Sequence, residues 1–565
     1  MFWTRPEQQL ANAGATVRSL SNDRGWWVTI ERPLSAKGWR ALGHLVDLAW
    51  LFVRLPGWRG DELLGLPGAD GLPRLGLLDI DAPLSSAATG TIGRWHSLTV
   101  VALDHPVTTP IELERWTDLR RLNALHLRSS VWQGDGLAEV PDLPALTELD
   151  VHAPLGGAEV AALGRCRQLQ RIALTGMRLS TAALGAWRDL GKLRKLSLTD
   201  CALDGAALSA LRAVPDLREL MIQRSSAVDW EPIGALAVEN VRLDTPLTPA
   251  AAAALGASRT LVSVACDGPI DDERLAALVR NPRLEQVKLY DARIGDAAVA
   301  SLHAHPRLRG LVLGFGPDAA DRPSAEALLR LAEARPGCHV SPLGDFSTGE
   351  ALAARQRTCV AERLRTLRPA PLPDLAAWVD RARGWISAQT TPTRPFDAGT
   401  PVTEDRLAAL ATSLRVALPP PILAALRVTS GLSFYGTSRS EWGHGTDGLW
   451  SAAMLASWQD DARAWATETA IRDDVHEHAL WLRAFPIAAI PSGDLIALDP
   501  GVDEAEPPVV YLTHDGPARP LARSLGDFLG AWEAMDYRSL GWFIRVDEWL
   551  DPFTGLLPVR RDTAD

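Results

Sequence analysis

Residues 193–223 read LRKLSLTDCALDGAALSALRAVPDLRELMIQ. The stretch opens on apolar residues at 193, 196 and 198 and closes on the same spacing at 217, 220 and 222. Working outward, ten such triplets run from Leu98-Val101-Leu103 to Leu308-Leu311-Leu313, and their last members step by 24, 24, 23, 24, 24, 21, 23, 23 and 24 residues. A fixed period in the twenties is the mark of a solenoid. Within each unit the triplet predicts a short strand, because alternate side chains of extended chain share one face and the three apolar anchors point inward. Cap-forming residues follow at Ser180, Asp204, Thr248, Asp271 and Asp296. Helical segments come next, such as Thr181–Trp187, Gly205–Ala213, Arg274–Arg280 and Ala297–His303. Pro144, Pro215, Pro282 and Pro306 each stand two residues before the next strand, where a helix cannot continue. The 21-residue step spans Ser225–Ala237, holds Pro232 and predicts a shortened segment opposite the strands.

This spacing resembles the leucine-rich repeat family. The resemblance implies an α/β solenoid of about ten repeats around a parallel sheet, built for binding before catalysis. One unit cannot bury its apolar edge alone, so units stack. The residues between the anchors then form a continuous concave face. Its candidate partner-binding residues are Asp104, His126, Arg128, Glu148, Asp150, His152, Lys195, Glu219, Arg242, Lys288 and Tyr290. Acidic residues and histidines gather in the first repeats and cations recur later.

The net charge of −11 argues against a general nucleic-acid binder, which needs cations to displace phosphate counterions, and it suits a basic partner. Five cysteines lie far apart with no C-x-x-C pair, which excludes a disulfide framework or a zinc knuckle. MFWTRPEQQLANAG at the N-terminus has no basic segment followed by an apolar core. Ala41–Leu55 contains His44, Asp47 and Arg54 and is too short to span a bilayer. The expectation is a soluble cytoplasmic protein without membrane contact.

Residues 1–92 are expected to form an N-terminal cap, with a strand at Gly25–Arg32, a helix at Lys37–Leu55 and a degenerate repeat at Leu72, Leu75 and Leu77. The solenoid proper is assigned to 93–343. Residues 344–372 hold a basic helix (Arg355–Arg368) and the linker PAPLPD. Residues 373–540 change texture. Helices are expected at Leu375–Ile386, Asp405–Leu414, Ile422–Val428, Leu449–Trp465 and Leu525–Met535, with strands at Ile487–Ile490, Leu495–Leu498 and Val509–Leu512. Helices before and after a strand cluster suggest a separate α+β domain. Residues 541–565 are a tail.

Within 373–540 the order of segments is distinctive. Glu404, Leu407 and Leu410 start a helix, LRVALPPPILAALRVTSGL follows, then FPI (Phe485–Ile487), GDLIALD (Gly493–Asp499), VVYL (Val509–Leu512) and SLGDFLGAW (Ser524–Trp532). This order resembles the SUKH superfamily, which includes a yeast cell-wall-assembly regulator and many bacterial immunity proteins. Arg427, Ser430 and Gly431 stand at the R-x-x-N-G positions of the family pattern, with serine for asparagine. Gly493 and Asp499 match its strand pair, and Ser524, Phe528 and Leu529 its closing helix. The fold-forming reading of these residues is that Gly431 ends a helix with positive φ, Gly493-Asp494 turn a hairpin, and Phe485, Ile487 and the tryptophans Trp450, Trp458 and Trp465 (with Met454) fill the core.

Other signals are weaker. His476-Glu477-His478 is metal-like only on a strand, where both imidazoles share a face; it reads instead as a solvated polar turn. His303-Ala-His305 sits where histidine caps helix carbonyls. Nucleophile-elbow, zincin and phosphate-loop patterns are absent. Glu441, Trp442 and His444 lie in a Gly-rich stretch and are candidates for a recognition loop. The reading is a non-enzymatic protein-binding protein with no cofactor and no metal. The SUKH resemblance implies a bacterial immunity protein that neutralises a toxin, a basic nuclease being the kind of partner that fits. The alternative is a regulatory scaffold joining two protein partners. The sequence carries no signal for oligomeric state.

Overall fold

The computed structural model describes residues 5–20, 25–55, 58–68, 71–104, 116–128, 143–152, 155–204, 206–227, 230–315, 322–343, 346–387, 397–414, 417–434, 447–472, 474–490, 493–514, 517–535, 550–551 and 554–557. The chain divides into two compact units, Met1–Ile294 with Phe315–Ala320, and Gly295–Gly314 with Asp321–Asp565.

In the first unit every triplet is a strand, and the strands pair parallel in chain order. The middle anchors form one register column: Leu149, Ile172, Leu196, Leu220, Val241, Val264 and Val287 lie side by side and all are buried. Behind them run short helices, such as Gly157–Ala162, Thr181–Gly185, Pro249–Gly256 and Asp272–Leu278. Ser180, Thr248 and Asp271 cap three of them through side-chain oxygens, as expected. Asp204 accepts from the Ala206 amide at the start of its own helix and also takes two bonds from Thr181 of the preceding repeat. In the short step only a 3-10 helix, Glu231–Ala235, fits. Its greater rise per residue covers the distance with fewer residues. Three buried tryptophans tie neighbouring repeats, because each indole N–H donates to a carbonyl of the repeat before. Trp95 reaches Pro67, Trp116 reaches Thr89 and Trp187 reaches Val160, at 2.7–2.9 Å.

Residues 1–92 hold more of the ladder than a cap would. The expected helix at Lys37–Leu55 ends at Gly43, and Leu48–Arg54 is a strand parallel to Trp26–Ile30. Leu48, Leu51 and Val53 repeat the 3-and-2 spacing, and Trp50, Phe52 and Val53 favour extended chain. The degenerate repeat lies three residues further on than expected. Its anchors are Leu75, Leu78 and Ile80, all buried, while Leu77 faces outward half-buried. Thr16–Ser19 pairs antiparallel to Trp26–Ile30, and helix Pro6–Asn12 buries Leu10. Fifteen ladder strands are therefore present among the described residues, thirteen in the first unit and two in the second.

The second unit opens on the helix Asp296–Ser301 and holds the parallel strands Gly310–Gly314 and His339–Leu343 with the helix Ala325–Ala334 between them. Arg335, fully buried, donates to the carbonyls of His303, His305 and Leu308. His305 is buried too, and its Nδ1 accepts from the Arg307 and Leu308 amides, so it closes a turn rather than capping a helix. Asp296 does not cap its own helix, because Gly295 stands at that position; its carboxylate accepts from the amide and hydroxyl of Ser324.

The helix Phe346–Thr366 leads to helices Leu375–Ser387, Glu404–Ser413 and Pro420–Val428. A small antiparallel sheet joins Asp397–Ala398, Leu432–Phe434 and Asp447–Leu449. A four-stranded antiparallel sheet runs Phe485–Ala489, Leu495–Leu498, Val509–Leu512, Arg519–Ala522, and helix Leu525–Ala534 packs Phe528 and Trp532 into the core beside Trp378. The edge strand Arg519–Ala522 escapes sequence reading because Pro520 masks it; both edge strands carry a proline, where no ladder donor is needed. The expected helix Leu449–Trp465 begins only at Leu455, because Leu449 ends a strand and Trp450 turns with φ of 35°. Met454 is exposed and leaves the tryptophan stripe. No helix among the described residues is long and apolar enough to cross a membrane.

Candidate functional site

The open face of the first unit's sheet holds all eleven residues expected there. Parallel register sets Asp79, Ala102, His126, Asp150, Ala173, Ser197, Met221, Arg242, Ala265 and Lys288 in one row across ten strands. The residues gather into two groups.

The first group surrounds Asp150. His152 Nε2 lies 3.1 Å from its carboxylate, Arg128 Nε 3.4 Å and His126 Nδ1 3.6 Å. Arg128 also stands 3.8 Å from Asp104. Partial burial pushes the Asp150 carboxyl up, but the imidazole of His126 and the charges of His152 and Arg128 outweigh it and hold it below the usual range. Asp104 shifts the other way: burial and the neighbouring Asp79 raise it, and Arg128 and Arg54 compensate only in part. Arg54 is engaged by Asp79 through two bonds of 2.6 and 2.8 Å. Such a forked pair fixes both side chains.

The second group centres on Arg242. Its guanidinium reaches Asp267 at 3.1 Å and lies 5.4 Å over the Tyr290 ring. The reach spans two strands, and Ala265 between them is small enough to allow it. A hollow of ≈ 180 Å³ opens here, lined by Lys195, Glu219, Met221, Asn240, Arg242, Lys288 and Tyr290 among others. Lys195 pairs with Glu219 at 2.8 Å, whereas Lys288 has no ion-pair partner among the described residues. Glu148 sits between the groups and pairs with Arg171 at 3.1 Å. Arg54, Asp79 and the aromatic residues Trp27, Trp50 and Phe52 share this face; Trp50, Phe52 and Arg54 lie in the stretch expected as the helix Lys37–Leu55, and the signal for a strand there is the 3-and-2 spacing of Leu48, Leu51 and Val53.

In the second unit the family-motif residues build structure. Arg427 forks onto Glu404 at 2.8 and 3.3 Å. Gly431 has φ of 140°, and a Cβ there would sit 2.7 Å from the Ser451 Cα. Asp494 is buried and accepts from the Tyr511 hydroxyl at 2.6 Å and from the His514 amide and ring. Asp499, also buried, holds Arg483 at 2.7 and 2.9 Å. Ser524 caps the closing helix and donates to the Ala370 carbonyl, which binds the linker. His476-Glu477-His478 is not a polar turn but the start of helix Val475–Arg483. Its Glu477 is half-buried and accepts from the Ala518 amide, and its His478 Nδ1 meets the Ala466 carbonyl. Glu441, Trp442 and His444 lie outside the described residues. Among the described residues no three His, Cys, Asp or Glu side chains form a metal-binding group.

Residues 401–531 match the SMI1 / KNR4 family (SUKH-1). No curated protein matches the chain. Among solved structures it is similar to an internalin, InlF, of Listeria monocytogenes (13% identity, TM-score 0.36, covering 53% of this chain and 83% of that one). It is also similar to internalin C2 of the same organism (19%, 0.26, 36% and 84%). A third is the plant peptide hormone receptor RGFR1, solved in complex with RGF2 (15%, 0.30, 56% and 56%). The chain thus carries a SUKH-1 domain at residues 401–531, which follows in sequence a leucine-rich-repeat ladder of parallel strands.

Proposed function

We propose that this protein binds another protein without catalysing a reaction, and that it is a bacterial immunity protein which neutralises a toxin in the cytoplasm by covering it. The observation that carries the reading is the match of residues 401–531 to SUKH-1, a family whose resemblance implies toxin neutralisation. The ladder adds to it. Its open face presents Asp104, His126, Arg128, Glu148, Asp150, His152, Lys195, Glu219, Arg242, Lys288 and Tyr290 on rigid strands, which limits the entropy lost on docking. Neutralisation would be steric and electrostatic. A net charge of −11 attracts a basic toxin such as a nuclease and speeds encounter at low salt. The test is co-expression with the toxins encoded beside its gene. Rescued growth and co-purification are expected; failure of both with every candidate refutes the proposal.

A second reading, a scaffold that joins two partners, draws on the division into two compact units. It requires two different proteins to be captured, one by each unit.

A further inference from the structure

The first strands of the ladder carry an aromatic surface that the two groups above do not use. Val28, Ile30, Leu51 and Val53 of these strands are fully buried, while Trp27, Trp50 and Phe52 stand on the opposite, open face. Trp27 lies 5.7 Å from Trp50 and 5.3 Å from Phe52, ring centre to ring centre. Trp50 keeps 38% of its surface in water. The register continues the apolar row from Trp50 through Leu77 and Val100 to Ala124. Solubility alone does not call for indoles on a sheet face, and contiguous exposed apolar surface marks an interaction site.

The neighbouring charges say what kind of partner fits. Asp79 and Asp81 stand on the next strand, and Asp104 directly follows the one after, Val100–Leu103. Arg54 is held by Asp79, although Asp81 is the residue opposite it in register. Asp81 has no ion pair among the described residues, and Asp104 has only Arg128 at 3.8 Å, which is nearer to Asp150. An apolar shelf therefore borders carboxylates whose charge is incompletely matched. Arg18 and Arg54 lie over the Trp27 and Phe52 rings at 5.6 and 5.9 Å, so these rings already accept cations on their faces.

We propose that this end of the open face seats a basic protein segment carrying an aromatic anchor: the anchor packs on Trp27, Trp50 and Phe52, and flanking lysines or arginines meet Asp81 and Asp104. This rests on the reading of the open face as the partner surface and specifies the partner's chemistry.

The test uses the full chain and three short peptides: a tryptophan flanked by lysines, the same with alanine for tryptophan, and the same with glutamate for lysine. Titration calorimetry at low salt should show binding of the first alone. Trp50→Ala should weaken it about tenfold or more. Asp81→Asn with Asp104→Asn should weaken it and flatten its salt dependence, while Arg330→Ala, on the exposed side of the helix Ala325–Ala334, should leave it unchanged. Hydrogen exchange on the unaltered protein gives a second readout: the peptide should protect 26–30 and 48–54, not 286–293. Equal binding of the alanine or glutamate peptide, no binding of any peptide, protection elsewhere, or tight binding of a neutral maltoheptaose in its place would each overturn the proposal. Toxin neutralisation that survives Trp50→Ala would overturn this inference and leave the proposed function standing. Absence of any toxin partner would sink that function while the peptide result stood by itself.

Discussion

Gly256 closes a helix at the back of the ladder and packs against the next repeat. A Cβ there would fall well inside contact distance of the Ala277 carbonyl oxygen and 3.0 Å from its carbon. The same approach recurs at Gly164 against Ala186 and at Gly234 against Ala254. Gly256→Ala therefore sets two effects against each other. Alanine in helical conformation gains about 0.5–1 kcal/mol over glycine. Making room requires the adjoining repeat to shift by about an ångström, and overpacking of this kind costs about 1–3 kcal/mol. The collision is with backbone, which cannot rotate away, so the loss should win, by roughly 1–2 kcal/mol. Gly185→Ala is the control: it is helical, with φ of −63° and ψ of −24°, and its Cβ would meet nothing within 4 Å. It should stabilise. Thermal and urea unfolding of both variants gives the comparison, with a shift of roughly 2–4 °C per kcal/mol for a unit of this size. If Gly256→Ala proved as stable as the parent, or matched Gly185→Ala, close backbone packing between repeats would be refuted.

Three further outcomes are expected. Asp150 has its pKa lowered in the fold, so its contribution to stability is complete above the unfolded value of about 3.8 and disappears as pH falls through the folded one. The melting-temperature gap between the parent and Asp150→Asn should accordingly be present at pH 7 and close below about pH 4; a gap that widens in acid contradicts the assignment. Burial pushes the Cys266 and Cys338 thiols up to about 12, so iodoacetamide at pH 8 should modify Cys359, which is partly exposed, and spare these two until the protein unfolds. Arg483→Ala leaves the buried Asp499 carboxylate with the Gly501 amide as its hydrogen-bond donor among the described residues; because Arg483 is partly solvent-screened, the loss should be about 1–3 kcal/mol rather than that of a fully buried pair. A midpoint unchanged in urea would show that the motif aspartate needs no counter-charge.

Much of this molecule is local in origin. Side-chain alternation along a strand is a property of the single chain, so the 3-and-2 spacing of Leu196 and Leu198 after Leu193 fixes which residues are core and which are open, before any neighbour is known. The constant step then brings successive strands together in order, and so the eleven outward residues were legible as one face. The SUKH-1 segments were legible by their order, since turn glycines such as Gly431 and Gly493 and the capping Ser524 act on their own neighbours in sequence. Where apolar residues ran without polar interruption, as at Leu48–Val53, periodicity could not separate helix from strand, and the strand that carries Trp50 and Phe52 stayed hidden. Only tertiary structure decided which charges meet. Arg54 chose Asp79 over Asp81, Arg128 divided itself between Asp104 and Asp150, and Arg242 crossed Ala265 to reach Tyr290. A long side chain selects among several partners by distances across strands, and those distances exist only once the sheet is assembled.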